Sequence, residues 1–167
     1  MKNTLPGIIW PWKGAARDPA FWIATWGASG LIPKAPGTWG SLAALVVGYA
    51  VHAAWGTTGL AIGAGLALAA GMWASARYME QTKSHDPGAV VIDEVVGMWI
   101  ALLALPAFPA VWHWAAAFVL FRIFDILKPW PIGVIDRHAP GAWGVMMDDV
   151  VAGIFAAAIL WGLIYVL

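Results

Sequence analysis

Seven of the nine carboxylates in this 167-residue chain lie between Asp86 and Asp149. Five of them fall in three short motifs. "IDEVVG" carries Asp93 and Glu94, "FRIFDILKP" carries Asp125, and "MMDDVVAG" carries Asp148 and Asp149. Each acid pair is followed by a glycine about one helical turn on, Gly97 and Gly153. Residues three or four apart share a helix face, and small residues let membrane helices approach closely. The spacing therefore predicts two helices that each begin with an acid pair and pack at their glycines, with the carboxylates converging above. Several carboxylates at one place cannot all ionise without a cation. All-oxygen ligands suit a hard ion, Mg²⁺ first and Mn²⁺ or Ca²⁺ as alternatives, in one or two copies. Asp93, Glu94, Asp125, Asp148 and Asp149 are the candidate metal ligands. N-capping would also explain one acid pair at a helix start, but not two pairs with Asp125 at the same depth.

Basic and hydroxyl residues flank these acids. Arg122 and Lys128 sit three residues on either side of Asp125, on one broad helix face that Pro129 should end. They are candidates to hold an anionic group, and a simple salt-bridge ladder is the competing reading. In "IPKAPGTWGSL", Lys34, Thr38 and Ser41 surround a helix start whose free N–H groups can bind phosphate, although on spacing alone a plain cap by Thr38 or Ser41 is the better reading. In "SHDPGAVV", Asp86 and Pro87 read as N-cap and first helical residue, and His85 as an acid or base. His52 and His113 are expected to be structural, and His138 is left without a role.

A hard cation flanked by bases suggests phosphate chemistry. A metal bridges phosphate oxygens, lowers the pKa of a bound water and stabilises the leaving oxygen, and Lys or Arg adds electrostatic stabilisation. The chain has no cysteine, which excludes a thiol nucleophile, a thiolate metal site and disulfides. A histidine-nucleophile lipid phosphatase with a Lys-x6-Arg-Pro motif fits poorly. Arg137 follows Lys128 two places too late, and no Arg-Pro pair exists. Attack by a metal-activated water is favoured, with Asp149 or Asp86 as proton acceptor; an aspartyl-phosphate route is the competing mechanism.

Helices must bring these motifs together. The chain is 62% hydrophobic with a mean hydropathy of +0.76. It is only 11% charged, against roughly 25% for soluble domains. Both values predict a polytopic, all-α membrane bundle forming one domain over 1–167. Five apolar segments are read at 41–55, 58–76, 89–105, 110–127 and 150–167, with "WGTTG" and "PAFP" as tight connectors. Alternating spans place Lys34, Arg77, Lys83, Arg122, Lys128 and Arg137 on one side, which is cytoplasmic by the positive-inside rule. The seven grouped acids fall on the same side, with Asp136 in a loop and Asp148 and Asp149 at the start of the last span. Residues 1–30, with Trp22 and Trp26 four apart, suggest an interfacial amphipathic helix, and a short core helix is an equal alternative. The 13 tryptophans read as interface belts and packing rather than a platform for bases, so no nucleic-acid partner is expected. The oligomeric state is not legible.

Taken together, "GLIPKAPGTWGSL", "HDPGAVVIDEVVG", "FRIFDILKPWPI" and "GVMMDDVVAG" resemble the phosphatidylglycerophosphatase A family, in order from about Gly30 to Gly153. The resemblance implies a bacterial inner-membrane enzyme, Mg²⁺-dependent, that hydrolyses the phospholipid phosphatidylglycerophosphate to phosphatidylglycerol and phosphate. It also implies that Asp93, Glu94, Asp125, Asp148 and Asp149 occupy the family's acidic motif positions, and that Lys34, Thr38, Ser41, Asp86, Arg122 and Lys128 lie in its motifs. The main alternative is a divalent-cation channel or transporter. Such a protein should carry acids near mid-span or in both membrane halves, whereas here they gather at one face. A non-catalytic scaffold would need no converging acid pairs.

Overall fold

The computed structural model describes residues 11–85 and 87–166, and these are helical with no strand among them. The helices are α1 (Pro19–Ala24), α2 (Pro36–Thr82), α3 (Ile92–Ala101), α4 (Val111–Leu127), α5 (Ile132–His138) and α6 (Gly141–Tyr165), with short 3₁₀ turns at Ala15–Arg17, Ser29–Leu31 and Leu102–Ala104. Two of them, α2 and α6, are long and apolar enough to cross a membrane. The expected third and fourth spans are shorter. α3 has 10 residues and α4 has 17, below the roughly 20 that a span needs, so helix length alone does not give five spans.

The α2 segment is a hairpin. Gly56 has φ 63° and ψ −159°, and interrupts two helical legs, 36–55 and 57–82. Only glycine takes such a backbone without strain, so the expected "WGTTG" connector reduces to one residue. The legs run in opposite directions along α3. Gly40 abuts Val91 and Gly48 abuts Trp99 on the first leg, while Gly63 abuts Trp99 and Gly71 abuts Ile92 on the second. Trp99 thus lies between the legs, and its indole N–H donates to the Ala44 carbonyl at 2.9 Å. α3 is the centre of the bundle, with eight of its ten residues buried and none exposed.

Opposite α2, α6 crosses α3 at the two predicted glycines. A Cβ on Gly97 would stand 2.7 Å from the Asp149 carbonyl oxygen, and one on Gly153 would strike the Gly97 carbonyl. Neither position admits a side chain at this separation, which is why each acid pair needs its glycine.

Several sequence expectations change. α3 starts at Ile92 rather than 89, and Pro87 stands in a turn outside any helix. α6 starts at Gly141, behind Pro140, so Asp148 and Asp149 lie two turns inside it and do not open it. Asp136 belongs to the short helix α5, not to a loop. Pro129 does follow the end of α4, where Lys128 takes the left-handed conformation at φ 44°. At the N-terminus the six-residue α1, capped by Asp18, buries Ala20, Phe21 and Ala24. Phe21 stacks edge-on with Trp12, which in turn packs on Tyr78. The described part of this segment holds a short helix packed on the core; residues 1–10 lie outside the described residues.

Candidate metal and phosphate site

Four helix segments meet at one end of the bundle: the start of α2, the start of α3, the end of α4 and the first third of α6. They bring together carboxylates that are far apart in sequence. Oxygen atoms of Glu94, Asp125 and Asp149 lie within 4.8 Å of one another. Asp93 and Asp148 face the same cavity of about 430 Å³, together with Asp136, Lys128, Arg137, His85 and His138. Asp86 lies outside the described residues.

Two cations organise the acids. Arg122 Nη1 reaches Glu94 Oε2 at 2.5 Å, Asp125 Oδ2 at 2.8 Å and Ser41 Oγ at 3.1 Å. Ser41 donates to Glu94 Oε2 at 2.7 Å and lies 2.8 Å from the Gly37 carbonyl oxygen. Gly37 completes this corner, since a side chain there would collide with the Glu94 carboxylate and come within 3.3 Å of Arg122. The "PGTWGS" stretch therefore packs around a Glu–Arg pair. Ser41 is an interior bridge and not a helix cap, because α2 already begins at Pro36. Lys34 is exposed, and neither it nor Thr38 lines the cavity.

Lys128 is the second organiser. Its ammonium pairs with Asp136 on α5 and with Asp148 on α6, the latter at 2.7 Å. Partial burial works against its charge, but the bonds to Asp136 and Asp148 prevail and hold its pKa above the ordinary lysine value. This clamp ties the end of α4 to both later helices. Asp136, expected in a loop, is therefore part of the site's framework. A charged residue four positions before Pro140 was its only signal.

The charge does not balance. Six carboxylates line the cavity, and the fixed cations touching it or its acids are Arg122, Lys128 and Arg137. Full ionisation would leave three formal negative charges uncompensated in a part-buried, all-oxygen site, which fits a hard divalent cation. Glu94, Asp125 and Asp149 are the residues positioned to share one.

Comparison with known proteins identifies the family. The family model for phosphatidylglycerophosphatase A matches residues 22–164. The chain belongs to the phosphatidylglycerophosphatase A family. The phosphatidylglycerophosphatase A of Escherichia coli strain K12 is 42% identical over 146 residues, covering 86% of this chain and 83% of that protein. The one from Haemophilus influenzae is 39% identical over 154 residues, covering 92% and 93%. A Bacteroides thetaiotaomicron protein provisionally named a phosphatidylinositol-3-phosphatase is 43% identical over 143 residues, covering 80% and 86%. No solved structure matches the chain at comparable significance. The family match spans all three acidic motifs, and the α1 segment from Trp22 onward falls within it.

The remaining histidines have local roles. His113 Nδ1 accepts the Ala110 N–H at 2.7 Å at the start of α4, as a structural residue should. His52 is buried edge-on against Trp114. His138 Nδ1 lies 3.0 Å from the Val134 carbonyl oxygen within α5.

Proposed function

We propose that this protein removes the terminal phosphate from phosphatidylglycerophosphate, releasing phosphatidylglycerol and inorganic phosphate. The observation that carries the reading is the Glu94–Asp125–Asp149 cluster inside a cavity with excess negative charge, in a chain of this family. Mg²⁺ is the proposed ion, with one or two bound, and Glu94, Asp125 and Asp149 are its proposed ligands, Asp93 and Asp148 lying beside them. When bound, such an ion supplies charge neutralisation for the phosphate and lowers the pKa of water.

The chain's own residues do the rest. Arg122 fixes Glu94 and Asp125 in place, and Lys128 holds α5 and α6 against the cavity and offers its remaining N–H to the phosphate. Asp149, which has no ion pair among the described residues, takes a proton from the attacking water. The water oxygen bonds to phosphorus, the ester P–O bond breaks, and the glycerol oxygen leaves as an alcohol with the proton that Asp149 returns.

The membrane reading is that α2 contributes two spans and α3, α4 and α6 one each, with the acidic end on the cytoplasmic side of a bacterial inner membrane. The positive-inside rule supports that orientation. A cation transporter is disfavoured by the other end of the bundle. There the cavity is lined by Tyr49, His52, Phe108 and Trp114, with no carboxylate among its described residues. The Bacteroides relative's name raises phosphatidylinositol 3-phosphate as a second substrate to test.

The deciding measurement is phosphate release from each lipid in mixed micelles, with Mg²⁺ or with EDTA. Release from phosphatidylglycerophosphate should require Mg²⁺ and disappear in Asp125→Asn while the circular dichroism is unchanged. Release that survives EDTA would reject the metal, and turnover of the inositol lipid alone would reassign the substrate.

A further inference from the structure

Arg137 is the one fixed cation lining the cavity that has no ion pair among the described residues. Arg122 and Lys128 are each committed to two carboxylates. Arg137 is exposed, on the last turn of α5, beside the Asp136 that Lys128 anchors. The helix carrying it is therefore fixed on the bundle while its guanidinium is left uncommitted. A basic residue at a helix end gains a little from the dipole, but that would be satisfied equally well facing away from the cavity.

The substrate chemistry supplies a partner. Phosphatidylglycerophosphate carries two phosphates, the monoester to be cleaved and the diester that joins glycerol to the lipid. The second lipid raised by one relative's name, phosphatidylinositol 3-phosphate, has the same plan, a monoester on a polyol that is joined to diacylglycerol through a phosphodiester. One anionic group enters the carboxylate-lined floor, and the other must rest at the wall. The wall holds a free guanidinium, whose planar fork matches two phosphate oxygens.

We propose that Arg137 is a specificity-determining residue that binds the phosphodiester of the substrate and retains it in the product. It thereby selects lipids with two phosphates over those with the monoester alone. The inference rests on the phosphatase reading above.

The test uses the full-length enzyme in mixed micelles with Arg137→Gln and Arg137→Lys. A charge-assisted hydrogen bond is worth about 1.5–3 kcal/mol, so Arg137→Gln should raise KM for phosphatidylglycerophosphate roughly tenfold to a hundredfold with kcat within about twofold. Phosphatidylglycerol, which keeps the diester, should lose potency as an inhibitor by a similar factor, while inorganic phosphate keeps its own. Arg137→Lys should recover part of the loss, which also shows that the variant folds. An unchanged KM, or an equal loss of inhibition by inorganic phosphate, overturns the proposal while leaving the phosphatase reading intact. A wild-type protein with no turnover of either diester lipid would reject the phosphatase reading, and this inference with it.

Discussion

The two acid-pair motifs, one on α3 and one on α6, are alike in backbone and reversed in which acid is paired with a cation. In both, the first acid accepts the backbone N–H of the second, at 2.9 Å for Asp93 and 3.0 Å for Asp148. In both, the glycine sits at the helix crossing. On α3 it is the second acid, Glu94, that is paired, through Arg122. On α6 it is the first, Asp148, through Lys128. Asp93 and Asp149 have no ion pair among the described residues. Each helix thus contributes one neutralised carboxylate that braces the site and one bare carboxylate. Local sequence similarity set the backbone, and cations from α4 decided which acid stayed free.

Asp149→Asn against Asp93→Asn tests this division most strongly. Asp149 belongs to the three-carboxylate cluster and Asp93 does not. Phosphate release should fall about 10³-fold or more for Asp149→Asn and about tenfold for Asp93→Asn. Equal losses would show that the two motifs are functionally symmetric.

Next in size is the crossing itself. Gly153→Val should destabilise the protein by about 2–3 kcal/mol, at the upper end for overpacking because it meets backbone rather than a movable side chain. A thermal melt in detergent would show it, and a melt like that of wild type would mean that the helices are not in contact there.

Lys128→Met gives the smallest effect. It leaves Asp148 without its cation and should cost about 1–2 kcal/mol, less than a fully buried pair because Lys128 is part-exposed. The pH dependence follows from the sign of the shift. A lysine whose folded pKa is raised contributes stability that is complete below the ordinary lysine pKa and is lost as pH rises through the raised value. The part of the gap between wild type and Lys128→Met that comes from the lysine should therefore be constant below the ordinary lysine pKa and close only in strong alkali.

Much of this site was legible because its signals are local. The acid–glycine spacing predicted the crossing of α3 and α6. Pro129 marked the end of α4, and the grouping of acids in the C-terminal half pointed to a cation. The misreadings have physical causes. Hydropathy placed the last span at Val150, because "GAWGVMMDD" lowers the average although its residues are helical from Gly141. Pro131 and the brevity of "IGVIDRH" hid α5, whose order comes from the Lys128 clamp and so from tertiary contacts. Ser41 read as a cap because hydroxyls favour helix starts. Its actual partners, Glu94 and Arg122, lie 53 and 81 positions away, and no local rule could name them.

The enclosure of α3 has a mechanical consequence. A helix that meets lipid must match the hydrocarbon thickness or tilt, kink or deform the bilayer around it. α3 has no exposed residue, so that demand falls on its neighbours, and its own length is free to be set by chemistry. It stops after 10 residues, and the position of Glu94 is set by the helices packed around it. In the membrane reading proposed above, the acids stand within the bundle and out of contact with acyl chains, so a lipid presents its phosphate to them while its tails stay in the bilayer.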